Sequence, residues 1–127
     1  MVGNIGELEE KVLDVLWKLG KASAREVCSA LEATNDRRAY STVRTILGRL
    51  AKKGIVSQQM DRNLKVYIYS PMLSKTELET KIVRRTLRGL LDRFENTTIS
   101  YLAENLSEDD EDTRRIRKQL REMKRDV

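Results

Sequence analysis

The chain has 127 residues, of which 39% are hydrophobic and 35% charged, with a formal net charge of +5 and a scarcity of aromatic side chains. It has no histidine and one cysteine, Cys28, which excludes an intrachain disulfide framework, zinc or copper sites built from Cys/His clusters, and His-dependent catalytic triads. No stretch approaches the roughly 20 apolar residues of a membrane helix, and Met1–Lys11 has no apolar signal-peptide core, so a cytoplasmic chain without membrane insertion is expected.

Residues 7–19 place Leu8, Val12, Val15, Leu16 and Leu19 at helical spacing. Glu7, Glu9 and Glu10 crowd the first turn, where the helix dipole favours acids, and Gly20 is a natural stop. Trp17 sits at the margin of that face and reads as a packing residue. Ser23 and Glu26 have capping-box spacing and open a second helix carrying Val27, Ala30 and Leu31. Cys28 lies within it, and a lone thiol there reads as a small packing residue. Residues 33–38 are polar and break the period, which predicts a loop.

Ser41 or Thr42 is expected to cap a third helix that runs to about Lys53 and stops at Gly54. Val43, Ile46, Leu47 and Leu50 fall on one side of a helical wheel. Ser41, Thr42, Thr45, Gly48, Arg49 and Lys52 fall on the other, with Arg44 on the flank. Gly48 costs about 1 kcal/mol relative to Ala in mid-helix, and its presence on a polar face suggests close approach by another molecule. Ile55–Met60 reads as a strand, Asp61–Asn63 as a turn and Lys65–Tyr69 as a second strand, with Pro71 closing the lobe.

Charge follows the same segmentation. Residues 37–65 hold eight Lys/Arg and one acid, a balance of +7, whereas residues 1–36 hold four bases and seven acids, a balance of −3. A local basic field on an exposed helix is the footprint of a nucleic-acid binder. Helix, helix, helix, hairpin is the order of a winged helix-turn-helix, whose third helix enters the major groove. Arg can pair with guanine and Ser/Thr can contact bases, while Lys and Arg neutralise phosphates. The candidate DNA contacts are therefore Ser41, Thr42, Arg44, Thr45, Arg49 and Lys52 on the helix and Arg62 and Lys65 on the wing.

Beyond Pro71 the character changes. A capping box at Ser74 and Glu77 opens a helix to about Phe94, Asn96-Thr97 is expected to break it, and Ile99, Leu102, Ala103 and Leu106 fit a short further helix. Ser107–Asp110 is expected to cap a last helix, with five acids at 108–112 at its start and Ile116, Leu120 and Met123 as a narrow apolar stripe. The reading is mainly α with a small β-hairpin: residues 1–71 as a winged helix-turn-helix DNA-binding domain and 72–127 as a helical dimerisation domain. The seam would use Leu78, Ile82, Leu90, Phe94, Leu102, Leu106, Ile116, Leu120 and Met123. The alternative is a helical subdomain packed on the first lobe of its own chain.

The run Leu8-Glu-x-x-Val12-Leu-x-Val-Leu16-Trp17, then Ala24-x-Glu26-Val27, Tyr40-Ser-Thr-Val-Arg-Thr-Ile-Leu47-x-Arg49-Leu50-x-Lys-Lys-Gly54 and Tyr67-x-Tyr69-Ser-Pro71 resembles the penicillinase and methicillin-resistance repressor family, which extends to copper-operon repressors. The resemblance implies a homodimeric winged-helix repressor that blocks transcription from a palindromic double-stranded DNA operator, with no cofactor. It places recognition-helix contacts on Ser41, Thr42, Thr45 and Arg49, with Arg44 and Lys52 nearby, and wing contacts on Arg62 and Lys65. Antibiotic-responsive members answer to a membrane sensor protease and are cut at an Asn-Phe bond. That bond aligns near Leu102-Ala103, which is not Asn-Phe. The cysteine cluster of copper-responsive members has no counterpart here. Two other readings compete: a winged helix that docks an acidic protein or binds DNA without sequence preference, and an enzyme. The enzyme has little support, since there is no Gly-rich phosphate loop or nucleophile elbow, and helix capping explains the acids.

Overall fold

The structure, a computed structural model, describes residues 5–105 and 111–125. The chain divides into two compact units, Met1–Glu79 and Thr80–Val127. Its elements are α1 (Glu7–Leu19), α2 (Ala24–Ala33), α3 (Tyr40–Lys52), β1 (Val56–Asp61), β2 (Val66–Pro71), α4 (Lys75–Asn105) and α5 (Glu111–Arg125).

Local chemistry sets most of the helix ends in the first unit. The Gly6 N–H donates to Glu9 Oε1 at 3.2 Å, and the chain leaves α1 through Gly20 at φ 85°, whose N–H returns to the Leu16 carbonyl at 2.7 Å. At α2 the expected capping box is present: Glu26 N–H donates to Ser23 Oγ at 3.2 Å and Ser23 N–H to Glu26 Oε1 at 3.0 Å. The start of α3 differs from expectation. Its N-cap is Ala39, with no side-chain hydrogen bond, and Ser41 and Thr42 lie inside the first turn. The cap position is dictated by the loop, and both hydroxyls are left on the outer surface. Gly54 at φ 79° ends the helix as expected, its N–H donating to the Ala51 carbonyl at 3.0 Å.

The core is built from Val12, Leu13, Leu16, Val27, Leu31, Val43, Leu47, Leu50 and Ile55. The stripe of α1 is rotated from the expected one: Leu13 is fully buried, whereas Leu19 is 50% exposed. The cause is that α1 is covered by α2, α3 and β2 together, so a broader arc is buried. Leu19, as the last helical residue, lies beyond that cover. Trp17 donates Nε1–H to the Leu73 carbonyl at 2.9 Å, an apolar rim residue with its polar atom satisfied.

β1 and β2 pair antiparallel from Val56↔Pro71 to Asp61↔Val66. Each strand begins one residue later than expected. Asp61 therefore ends β1, and Arg62–Lys65 form the turn. Asp61 Oδ1 accepts from Asn63 N–H at 2.9 Å and Leu64 N–H at 3.1 Å, and the Asp61 carbonyl accepts from Lys65 N–H at 2.7 Å. Lys65 takes φ 55°, the left-handed turn conformation, instead of a strand conformation. An isolated bridge ties Ala22 to Tyr69 through N–H to O bonds of 2.9 and 2.8 Å. The hairpin is thus fastened to the segment that leads into α2.

α4 opens with the expected Ser74/Glu77 box, at 3.0 and 3.1 Å. Its interruption falls at Phe94 (φ −135°, ψ 50°), not at Asn96-Thr97. The Leu90 carbonyl there accepts Thr98 Oγ1 at 3.4 Å. A straight helix would hold residues eight apart at about 12 Å of rise, so the chain bends sharply. The asparagine and threonine that suggested a break are accommodated in the helix just beyond it. The expected cap of α5 at Ser107–Asp110, with three of its five acids, lies outside the described residues.

Asp36, in the α2–α3 loop, joins Lys11 Nζ at 2.9 Å and Arg38 Nε at 2.8 Å. Hydrogen bonds from Lys11 and then Arg38 hold its carboxyl below the ordinary 3.8. A depressed carboxyl pKa stabilises the fold above the unfolded value and loses that effect as pH falls through the folded value. Asp36→Asn should therefore lower the urea midpoint at pH 7, and the deficit relative to the native chain should vanish as the solution is acidified below about pH 4. Leu47→Ala, which truncates a fully buried side chain, should cost about 2–5 kcal/mol in the same urea titrations.

Candidate nucleic-acid interface

The geometry of α3 separates its residues by role in packing. Val43, Leu47 and Leu50 are fully buried and Ile46 nearly so. Ser41, Thr42, Arg44, Thr45, Arg49 and Lys52 are all exposed. The two halves of the helix are coupled by its rigid 100° period, so seating the apolar side in the core turns the hydroxyl and basic side outward. Of the other two candidate contacts, Arg62 and Lys65 both sit in the exposed hairpin turn.

Grooves border α3 on both flanks. One, of about 540 Å³, is lined by residues 6–9 at the start of α1 together with Ser41, Thr42, Thr45, Ile46 and Arg49. Its acids are not all free, because Glu9 Oε2 accepts from Lys53 Nζ at 2.9 Å and its Oε1 from the Gly6 N–H. Arg44 lines the other groove, with Tyr40, Lys65 and Tyr67. The structure therefore brings Ser41, Thr42, Thr45 and Arg49 together and sets Arg44 apart from them.

The eight bases of residues 37–65 also divide by partner. Arg38 is paired with Asp36, and Lys53 forms a half-buried pair with Glu9. The first pair lies within the α2–α3 loop and the second ties the end of α3 to α1, and neither base was assigned a part from sequence. Among the described residues no carboxylate pairs with Arg44, Arg49, Lys52, Arg62 or Lys65. Their charge is uncompensated locally, which is the state that favours a polyanion.

Two titratable groups of the first unit are shifted by burial. Burial pushes the Tyr69 hydroxyl up, with Arg44 acting in the opposite direction. Burial likewise pushes the Cys28 thiol up, against a smaller lowering effect of Arg25. A raised thiol pKa lowers the thiolate fraction and fits a packing role. Sequence reading gave Arg25 no contact role, and gave Tyr40 and Tyr67 none beyond their place in the family pattern. The i,i+4 spacing of Tyr40 and Arg44 puts those two on one flank, whereas no local spacing marks Arg25 or Tyr67.

Candidate seam residues are distributed unevenly. Leu78 is 3% exposed and so buried within its own chain. Ile82 and Leu102 are half-buried, whereas Leu90, Phe94 and Ile116 are exposed. Leu106 lies outside the described residues, as do the side chains of Leu120 and Met123. Val83, Ile99 and Tyr101 add to the exposed apolar surface of this unit, while Leu91 is buried.

Three helices followed by a hairpin, with the third helix presenting a polar basic face, define a winged helix-turn-helix. The chain belongs to the penicillinase repressor family, whose pattern matches residues 5–122. It is 41% identical over 75 residues to the transcriptional regulator BlaI of Mycobacterium tuberculosis, a match covering 58% of this chain and 52% of that protein. The chain thus spans about half the length of that relative. It is 28% identical over 111 residues to the penicillinase repressor of Bacillus licheniformis, covering 87% of this chain and 80% of the other. Among solved structures it resembles the solution structure of the DNA binding domain of the repressor BlaI, with TM-score 0.52, 27% identity and coverage of 61% of this chain and 90% of that one. No described helix is long and apolar enough to cross a membrane.

Gly48 has no internal justification: a Cβ built there meets nothing within 4 Å. Gly48→Ala should therefore raise stability by about 0.5–1 kcal/mol, through helix propensity and a less flexible unfolded chain. Thermal or urea unfolding of the two chains side by side would measure the gain.

Proposed function

We propose that this chain is a sequence-specific DNA-binding transcriptional repressor, acting as a homodimer that occludes a palindromic operator. The observation that carries the reading is the outer face of α3: exposed hydroxyls, and arginines unpaired among the described residues, on a helix whose other side is locked in the core. In this reading residues 1–71 bind DNA and residues 72–127 dimerise. Arg49, with Ser41, Thr42 and Thr45, reads base edges in the major groove, where an Arg can pair bidentately with guanine. Lys52, Arg62 and Lys65 neutralise phosphates.

Dimerisation follows from what a single chain leaves uncovered. Leu90, Phe94, Ile99 and Ile116 expose apolar surface in a unit of few helices, and small units of this kind gain a sufficient core by association. Two copies would set their recognition helices about 34 Å apart, one turn of the duplex, which makes the site palindromic. The family names of the relatives, penicillinase repressor and transcriptional regulator, support the same assignment. Relief of repression by cutting an Asn-Phe bond has no matching bond at Leu102-Ala103, which lies within α4.

Binding-site selection from a random duplex library tests the reading. Enrichment of a two-fold symmetric sequence is the expected result, and recovery of no preferred sequence would return the protein to a nonspecific or protein-docking role. On the enriched duplex, Arg49→Ala should cost about 1–3 kcal/mol and relax preference at one position per half-site. Lys52→Ala should weaken all duplexes alike and lower the salt slope by about 1.

A further inference from the structure

The groove on the Arg44 side of α3 carries chemistry that base reading does not use. It is an open cleft of about 450 Å³, walled by the start of α2, the first turn of α3 and the hairpin. Three cations line it, Arg25, Arg44 and Lys65, one from each wall. Among the described lining residues there is no carboxylate, in contrast to the opposite groove, which Glu7 and Glu9 border. Two exposed tyrosines, Tyr40 and Tyr67, add hydroxyl donors beside the cations.

The cleft is also held in shape. Arg25 Cζ stands 5.9 Å from the centroid of the Tyr40 ring, within cation–π range, which limits the sweep of an otherwise mobile side chain. The hairpin wall is tied to the α2 wall by both backbone hydrogen bonds between Ala22 and Tyr69. The Lys65 backbone, from which the third cation springs, is held by its left-handed turn conformation and by its N–H bond to the Asp61 carbonyl. At the start of α2, Ser23 and Glu26 take up each other's N–H groups. The cleft's three cationic side chains supply its charge.

We propose that this cleft seats a backbone phosphodiester of duplex DNA, gripped by Arg25, Arg44 and Lys65 with Tyr40 and Tyr67 as supporting donors. The proposal rests on the DNA-binding reading and deepens it. Arg44 becomes a phosphate contact and leaves base reading to the Arg49 side. Arg25, from the acidic N-terminal third of the chain, joins the interface. Duplex DNA is the occupant that fits, since three cations without a compensating acid suit a dense polyanion, and the cleft is continuous with α3 and the hairpin turn. A seat of this kind holds register and orientation without reading sequence.

The test uses the full chain and a fluorescein-labelled 30-base-pair duplex of random sequence, read by anisotropy at several salt concentrations. Arg25→Ala and Arg44→Ala should each weaken binding and lower the salt slope by about 1 per bound chain. Between 50 and 200 mM salt each variant would then lose about fourfold less affinity than the native chain does. The loss should be the same on a second, unrelated duplex, and Arg25→Lys should restore the slope. Lys18→Ala, an exposed cation on α1 lining neither groove, should change nothing. Thermal melting of each variant confirms an intact fold, which the exposure of Arg25 and Arg44 favours. If the native chain binds with strong salt dependence and the Arg25 and Arg44 variants keep its slope and affinity, the cleft is not a phosphate seat and the DNA-binding reading stands. If the native chain binds no duplex at any salt, both fall together.

Discussion

Val43, Ile46, Leu47 and Leu50 can be buried together only if α3 lies along α1 and α2 in one rotational setting. That setting decides which way every other side chain of the helix faces. Burial of four aliphatic side chains, each worth about 1.5–3 kcal/mol against exposure, outweighs any preference of the polar face. Ile55 and Val56 extend the same core directly into the hairpin. The position of the wing is thus a consequence of the packing that orients the helix. The Ala22–Tyr69 bridge then fastens the hairpin from its other side.

Charge is distributed on top of this frame in two ways. Lys53 with Glu9 and Arg38 with Asp36 and Lys11 hold loops and helix ends against one another. Each of these acids answers a base that would otherwise add to the basic surface. Among the described residues, Arg44, Arg49, Lys52, Arg62 and Lys65 have no such answer. A segment that counts as +7 in sequence therefore presents a narrower set of unpaired cations, three on α3 and two in the hairpin turn.

The second unit follows a different physics. Its long helix α4 bends at Phe94, and Leu90, Phe94, Ile99 and Ile116 stay exposed. Leu91 is buried, whereas its neighbour Leu90 is not. Among the described residues of this unit, much of the apolar stripe is left exposed, unlike the buried stripe of α3.

The sequence by itself determined the element order as far as Pro71, the capping boxes at Ser23 and Ser74, the stops at Gly20 and Gly54, and the inner stripe of α3; the separate short helix expected from Ile99 is instead the far part of the bent α4. Each feature so determined depends on residues within a turn or two of one another, so local propensity and period suffice. The family resemblance was readable for the same reason, through the continuous run from Tyr40 to Gly54. Tertiary structure alone decided what depends on distant neighbours. It moved the cap of α3 to Ala39, rotated the α1 stripe toward Leu13 and put Lys65 in the turn. It joined Trp17 to Leu73, 56 residues on, and Glu9 to Lys53, 44 residues on. It also gathered Arg25, Arg44 and Lys65 around one cleft. No periodicity encodes such meetings, because they arise only when separate elements share a core and their surface side chains are brought within reach.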